Sequence, residues 1–259
     1  MRILAALFSL ALVACLSNAS APPLSGDGAP VLFIGNSHTY VNDLPGILQA
    51  LADSAGGETI ATMSIVNANY ALIDHWNDGV AKHEIERRSW RYVVMQQGWT
   101  PAGVCQDTLR LATQLFSESI RRVGATPAVL EVWAPASRPA QSPGTIESYR
   151  LAAQDVNGLL FPAAEAWLEA QTRQPGYSLY GDDIHANEAG SYLAALVMYA
   201  RIFNRSPVGL PRALQTRGGT FITLSADMAL ALQQVAADIA LAATPQTVPS
   251  ATPVITSRC

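Results

Sequence analysis

The segment VLFIGNSHTY, residues 31–40, is the most informative part of the sequence for the fold. It begins with four apolar residues, turns at Gly35, and then presents Ser37 and His38 side by side. An apolar run of this length, ended by glycine, is too short for a helix and typical of a strand buried on both faces. In open α/β sheets, ligands bind beyond the carboxyl ends of the strands. If this strand is central, Ser37 lies in the binding crevice.

Four more short apolar runs follow, and each is bounded by glycine, proline or polar residues. They occupy residues 60–66, 92–95, 128–133 and 159–161. Five such strands, separated by helical patterns, predict a parallel sheet covered on both faces, which is a three-layer α/β/α sandwich. The predicted helices cover residues 44–55, 72–88, 108–123, 146–156, 163–172 and 188–203, and a further helix at 226–242 is expected to pack outside this unit.

Composition indicates one folded domain. The chain has 259 residues, 49% of them hydrophobic, and a net charge of -4. This is enough for a core, and the absence of a basic stripe argues against a nucleic-acid partner. We expect a targeting segment and the start of a tether at 1–21, a flexible linker at 22–29, the folded domain at 30–243 and a disordered tail at 244–259.

The N-terminus predicts export. Residues 3–14 form an apolar stretch that is too short to span a bilayer as a stable helix. The stretch ends in LVAC, which resembles a bacterial lipobox with Cys15 as the lipidated residue and membrane anchor. The alternative is an ordinary signal peptide cleaved after Ala19 or Ala21. The expected location is the periplasm, with anchoring in the outer membrane, or the medium after secretion.

Two cysteines remain after Cys15. In an oxidising compartment Cys105 and Cys259 could form a disulfide. The alternative, favoured slightly, is two unpaired thiols, because Cys259 is the last residue of the tail.

A serine is a weak nucleophile until a base takes its proton. The chain has four histidines. His38 adjoins Ser37, so the two side chains should diverge on a tight turn. His83 lies in a charged helical run, and His75 lies early in a helix, where packing is its simplest role. His185 is therefore the best candidate base.

His185 stands in GDDIHANEAGSYL, residues 181–193, three positions after Asp182. At this spacing the carboxylate can accept a hydrogen bond from one ring nitrogen while the other nitrogen faces Ser37. The alternative role for Asp182 and Asp183 is a turn that leads into a capped helix.

These segments resemble the SGNH (GDSL-like) hydrolases. FIGNSHTY is similar to their first block, with Asn36 where many members carry Asp, and DDIHANEAGSYLAA is similar to their last block. The resemblance covers roughly residues 30–203. It implies a flavodoxin-like five-stranded sheet and ester hydrolysis, with Ser37 as nucleophile, His185 as general base and acid, and Asp182 as the residue that orients it.

The middle blocks depart from the family pattern. The family's second block offers a glycine N–H to the oxyanion, whereas this chain reads VNANYALIDHW with Asn69. The third block offers an asparagine side chain, whereas this chain reads VVMQQGWTP. The resemblance therefore implies an oxyanion hole made by the N–H groups of Ser37 and Asn69, or a neighbour of Asn69, with an amide from Gln96 or Gln97. The alternative is that both glutamines are only polar residues at a strand end.

The resulting expectation is a serine esterase without cofactor or metal, acting on a carbohydrate ester or a short-chain ester. Asp182, Asp183 and His185 have no further metal ligand at suitable spacing. Trp99 and Trp133 follow strand ends, where they could stack on a sugar or pack in the core. The alternative is an exported, non-catalytic polysaccharide-binding lipoprotein that retains a degenerate pocket.

Overall fold

A computed structural model describes residues 23–242, and it confirms the predicted sheet. Five parallel strands pair in the order β2-β1-β3-β4-β5. They are β1 (Ala29–Gly35), β2 (Ile60–Val66), β3 (Tyr92–Met95), β4 (Thr126–Leu130) and β5 (Leu159–Phe161). The predicted targeting segment, Cys15 and the tail at 244–259 lie outside the described residues.

Helices cover both faces of the sheet. They are α1 (Ser37–Tyr40), α2 (Leu44–Ala55), α3 (Leu72–Asp78), α4 (Val80–Arg87), α5 (Val104–Arg122), α6 (Ser142–Asp155), α7 (Ala163–Arg173), α8 (Glu188–Phe203) and α9 (Ala226–Ala242). Short 3₁₀ turns occur at Val41–Asp43 and Pro139–Gln141. The helix predicted at 72–88 is two helices, because Gly79 adopts φ = 76° between them.

Strand β1 shows why its sequence is apolar throughout. Val31 and Phe33 belong to the core on one side of the sheet, and Leu32 and Ile34 belong to the core on the other. All four are at most 1% exposed. The first core is formed with α2, α7, α8 and α9, and the second with α3 to α6. A strand buried on both faces cannot alternate apolar with polar residues.

Helix α9 and a small hairpin differ from the sequence prediction. Leu232 and Val235 of α9 are buried in the same core as α7 and α8, so this helix is part of one layer of the sandwich. The antiparallel strands β6 (Ala213–Gln215) and β7 (Phe221–Thr223) precede it and were not predicted. They are only three residues long, which gives too weak a pattern to recognise.

The register of the sheet places the carboxyl ends of β1, β2 and β3 side by side. Gly35 pairs with Val66 of β2, and Ile34 pairs with Met95 of β3. The chain crosses from one side of β1 to the other between β2 and β3, which is the switch point where ligands bind in such sheets. The residues that follow β1, β2 and β3 therefore meet at one edge.

Two further observations bear on the export predictions. Cys105 forms a disulfide bond. The alternative of an unpaired thiol at Cys105 is therefore wrong, while the other two cysteines, Cys15 and Cys259, lie outside the described residues. Within residues 23–242, no helix has the length and apolar character needed to span a membrane.

Candidate active site

A tight turn after β1 presents Ser37. The side chain of the buried Asn36 accepts a hydrogen bond from the His38 N–H at 3.1 Å and thereby caps α1. Ser37 is the first residue of α1, so its N–H has no acceptor within the helix. A Cβ at Gly35 would collide with the side-chain oxygens of Gln96 and Thr39, which is why this position requires glycine.

Ser37 lies in a cleft of about 300 Å³. Its walls come from the segments after the first three strands and from the loop before α8. They include Ser37 and His38 after β1, Asn69 and Tyr70 after β2, Gln97 and Trp99 after β3, and Ile184.

The loop before α8 holds an aspartate–histidine pair. Asp182 Oδ2 is 2.7 Å from His185 Nδ1, and Asp182 Oδ1 accepts the backbone N–H groups of Ile184 and His185 at 2.8 and 2.7 Å. These hydrogen bonds, first that from the His185 N–H, lower the pKa of Asp182. An ionised carboxylate at Nδ1 keeps the proton of a neutral imidazole on that nitrogen and leaves Nε2 free to accept one.

The Asp182–His185 loop reaches the cleft that contains Ser37 through Ile184. Ile184 and Ser37 both line it, and the His185 ring centroid is 5.6 Å from that of His38. His185 Nε2 is buried and makes no hydrogen bond to any residue in the described part of the chain, Ser37 included. Such bonds are often long in ligand-free enzymes and shorten when substrate binds.

A second loop holds the Asp182–His185 loop in place. This β4 loop, residues 131–138, donates the N–H and hydroxyl of Ser137 to the Asp183 carboxylate at 2.7 and 2.8 Å. Trp133 Nε1 donates to the Ile184 carbonyl at 2.9 Å. Sequence reasoning gave Asp183 only a turn role, because nothing in the local pattern shows that the β4 loop lies beside it.

The residues after α1 also contact α8. Asn42 Nδ2 donates to the Ala186 carbonyl and to Ser191 Oγ, both at 3.0 Å. Asp43, not Asn42, caps α2, since its carboxylate accepts the Gly46 N–H at 3.2 Å. Asn42, shortly after Ser37, thus joins this part of the chain to the start of α8 by hydrogen bonds.

Asn69 stands where the family pattern has glycine, and its backbone explains the exchange. It adopts φ = 62°, in the left-handed region. Glycine enters this region freely, and asparagine is among the few residues with a side chain that tolerate it. The Tyr70 N–H closes the same turn onto the Asn67 carbonyl at 3.3 Å. Asn69 therefore preserves a glycine-like turn beside the cleft.

The carboxamide of Gln96 is used inside the protein. Its nitrogen donates to Asn36 Oδ1 at 2.9 Å and to the Gln97 carbonyl, and its oxygen accepts from the Asn36 N–H at 3.0 Å and from Thr39 Oγ1 at 2.7 Å. The residue is 1% exposed. Both amide hydrogens are thus engaged, so the geometry does not fit Gln96 as a donor to the cleft. Its hydrogen bonds to Asn36 and Thr39 instead stabilise the turn that carries Ser37.

Gln97 is the glutamine that lines the cleft. Its oxygen accepts the Leu72 N–H at 3.2 Å. Its nitrogen donates to Thr100 Oγ1 at 3.2 Å and contacts the Cys105 carbonyl at 3.5 Å. A bond of 3.5 Å is at the limit of hydrogen bonding, so one amide hydrogen is only weakly held.

The two other buried histidines have distinct surroundings. His75 Nε2 is hydrogen-bonded to the Gly35 carbonyl at 2.8 Å, so His75 stabilises the turn that carries Ser37. His38 packs edge-on against Trp133, with ring centroids 5.6 Å apart. Burial, followed by the nearby His185, lowers the pKa of His38 to about 4. His38 is therefore neutral at pH 7.

The two tryptophans considered from the sequence have different roles. Trp133 is buried and stacks on Trp167, with centroids 3.9 Å apart, so it packs in the core. Trp99 lines the cleft, and the Arg138 guanidinium lies 5.0 Å from the centre of its ring. In the part of the chain that the structure describes, no three His, Cys, Asp or Glu residues are grouped to hold a metal ion.

Comparisons with solved structures identify the fold. The parallel sheet, with helices on both faces, defines an α/β/α sandwich. One similar structure is a protein from Slackia heliotrinireducens described as a candidate SGNH hydrolase, with a TM-score of 0.59, 23% identity, and coverage of 68% of this chain and 100% of that chain.

Two further structures share the architecture. A DUF4886 family protein from Bacteroides uniformis ATCC 8492 has a TM-score of 0.65 and 19% identity, covering 86% of this chain and 97% of its own. A lipase/acylhydrolase from Enterococcus faecalis has a TM-score of 0.52 and 15% identity, and the match covers 68% of this chain and 96% of that chain. The chain has the SGNH (GDSL-like) hydrolase fold. No family model and no curated protein matches the sequence.

Proposed function

We propose that the chain is a serine esterase that hydrolyses carboxylic esters by acyl transfer to water. The observation that carries the proposal is the Asp182–His185 pair, whose Nε2 has no partner among the described residues, beside the cleft that contains Ser37. Fold alone does not fix function. The support comes from the loop of this pair, because its Ile184 lines the same cleft as Ser37 at the carboxyl edge of the sheet.

In the first half-reaction, His185 Nε2 takes the proton from the Ser37 hydroxyl while Oγ attacks the ester carbonyl. Asp182 holds the ring by its Nδ1 and stabilises the imidazolium that forms. His185 then gives its proton to the oxygen of the leaving alcohol, and the acyl group remains on Ser37. In the second half-reaction the same nitrogen takes a proton from water, whose oxygen attacks the acyl carbon. The bond between the acyl carbon and Ser37 Oγ then breaks, His185 returns the proton to Oγ, and the acid is released.

The negative charge on the tetrahedral intermediate needs donors that are already in place. In this proposal the Ser37 N–H and the Asn69 N–H supply two of them. Gln97 is favoured over Gln96 for the third, because Gln97 lines the cleft and one hydrogen of its amide is weakly held. Losing one such donor typically costs about 10²–10³ in rate, so the quality of this third contact affects turnover strongly.

The substrate proposed is a carbohydrate ester, such as an acetylated sugar, or another short-chain ester. A cleft of about 300 Å³ limits the size of the acyl group, and the rings of Tyr70 and Trp99 offer apolar surface to a sugar or a chain. We further propose that the protein is exported, either anchored through a lipid on Cys15 or secreted. The disulfide at Cys105 supports an oxidising compartment.

Ser37→Ala tests the triad on p-nitrophenyl acetate. Removing a triad nucleophile typically lowers turnover by about 10⁶-fold, so activity should fall to background. Ser54→Ala, an exposed serine on α2, is the matched control and should retain the parent's rate. Parent-like hydrolysis by Ser37→Ala would show that the triad is wrong.

A serine-directed organophosphonate separates the enzyme from the alternative. Covalent labelling of Ser37, lost in Ser37→Ala, is expected of the esterase. The exported polysaccharide-binding protein would bind an intact polysaccharide without labelling.

A further inference from the structure

His38 is a polar group that the proposed reaction does not use. It adjoins the nucleophile, is 8% exposed, and forms part of the cleft wall. Its Nδ1 is buried and has no hydrogen-bond partner among the described residues. The other ring nitrogen, Nε2, is not closed off in this way and makes no hydrogen bond among the described residues, so a group bound in the cleft can pair with it.

The position of His38 relative to His185 defines which part of a substrate it would meet. The carbonyl oxygen of the ester must face the N–H groups of Ser37 and Asn69. The leaving oxygen must face His185 Nε2, which returns the proton to it. A side chain beside His185 therefore flanks the alcohol portion of the ester, and the His38 ring centroid is 5.6 Å from that of His185.

The hydrogen-bonding groups and the charge of the His38 ring determine which chemical group of a substrate it could bind. A neutral imidazole has one donor and one acceptor, and a hydroxyl offers both in return. Burial keeps the pKa of His38 at about 4, so at pH 7 it has no charge to offer a carboxylate or phosphate. The edge of Trp133, 5.6 Å away between centroids, restricts how the ring can turn.

We propose that His38 is a specificity-determining residue that hydrogen-bonds a free hydroxyl on the alcohol portion of the ester. This inference rests on the proposed esterase function and narrows it. The enzyme then prefers esters of polyols, sugars included, over esters of simple alcohols that have the same acyl group.

Two acetates of three-carbon alcohols test this. Glyceryl monoacetate carries free hydroxyls beside the ester and propyl acetate carries none. In the wild type, kcat/KM should be about 5–10-fold higher for glyceryl monoacetate, as expected for one hydrogen bond of about 1 kcal/mol. His38→Phe keeps a planar ring without nitrogens and should bring the ratio close to one. His38→Gln retains a donor and an acceptor and should recover part of the preference.

His83→Gln, which changes an exposed histidine on α4, is the matched control and should leave the ratio as in the wild type. Near-ultraviolet circular dichroism checks that each variant is folded. A wild type without the preference, or a folded His38→Phe that keeps it, would overturn the inference. If His38→Phe does not fold, a wild type without the preference still overturns the inference, and a folded His38→Gln with a reduced ratio supports it.

The failure of the inference differs from the failure of the proposed function. If Ser37→Ala abolishes hydrolysis of both acetates and the ratio does not depend on His38, only the inference is wrong. If Ser37→Ala hydrolyses both acetates as well as the wild type, the esterase mechanism is wrong and the inference falls with it.

Discussion

Replacing Asp183 by alanine tests whether the β4 loop positions the catalytic base. The Asp183 carboxylate accepts two hydrogen bonds from Ser137, at 2.7 and 2.8 Å, and the substitution removes both. These bonds are exposed, so a net loss of about 1–2 kcal/mol in the free energy of unfolding is expected. The substitution also removes a negative charge two residues before His185. Asp183→Asn removes the same charge but keeps an acceptor oxygen, so it separates the effect of charge from the position of the loop.

The expected kinetic effect is larger than the stability effect suggests. A displacement of about 1 Å in a catalytic group can cost about 10²-fold in rate. Because Trp133 Nε1 still donates to Ile184, only part of that displacement should occur, and kcat should fall about 10-fold while KM changes less than about 2-fold. Asp183→Asn keeps one acceptor oxygen, so its kcat should lie between that of Asp183→Ala and that of the wild type.

The assay is steady-state hydrolysis of p-nitrophenyl acetate with urea denaturation of each variant. Asp27→Ala, which removes an exposed aspartate before the end of β1 that is opposite to Ser37, is the control for loss of charge and should keep the wild-type kcat. Ser137→Ala removes one of the two bonds, and its effect should not add to that of Asp183→Ala in the double variant. A wild-type kcat in a destabilised Asp183→Ala would refute the positioning argument.

Two further predictions concern buried groups around the sheet. Gly35→Ala places a Cβ against the side-chain oxygens of Gln96 and Thr39, so we expect a loss of about 1–3 kcal/mol in unfolding free energy and a reduced kcat, measured by urea denaturation and ester hydrolysis. Glu131, at the end of β4, is fully buried, and burial raises its pKa well above the usual value. Below pH about 4.5 the Glu131 carboxyl group is neutral in both the folded and the unfolded protein. As the pH rises above that value, the carboxyl group ionises in the unfolded chain while the buried one stays protonated, so the free energy of unfolding falls until the folded-state pKa is passed. Glu131→Gln should therefore gain stability over the wild type between pH 5 and pH 8 in urea denaturation, and an unchanged difference would refute this sign.

The sheet could be predicted from sequence because its signal is local. Each strand is a short apolar run ended by a turn residue, and the parallel arrangement follows from the helices between the runs. The position of Ser37 at the carboxyl edge followed from the same rule. The break at Gly79 and the hairpin before α9 were missed, because a glycine in a helical pattern and three-residue strands are weak local signals.

A contact between site residues could be predicted only where both residues lie in the same short segment of the chain. Asp182 and His185 are three residues apart, so their contact could be inferred from spacing. The bonds between Asp183 and Ser137 join two loops that are distant in the chain, and no local pattern specifies them. The environment of His38 depends on Trp133 and His185 in the same way.

Gln96 and Gln97 show how tertiary contacts separate two residues that the sequence leaves equivalent. Register places Gln96 directly after the buried end of β3, where its amide meets the backbone N–H and the side chain of Asn36. An amide held by four bonds in the interior cannot turn toward a substrate without leaving the Asn36 N–H unpaired, which costs about 1–3 kcal/mol. Gln97 follows it and faces the cleft. The amide of Gln97 also has hydrogen-bond partners, but Gln97 lines the cleft, which is why the proposed oxyanion hole includes Gln97 while Gln96 holds the turn that carries Ser37.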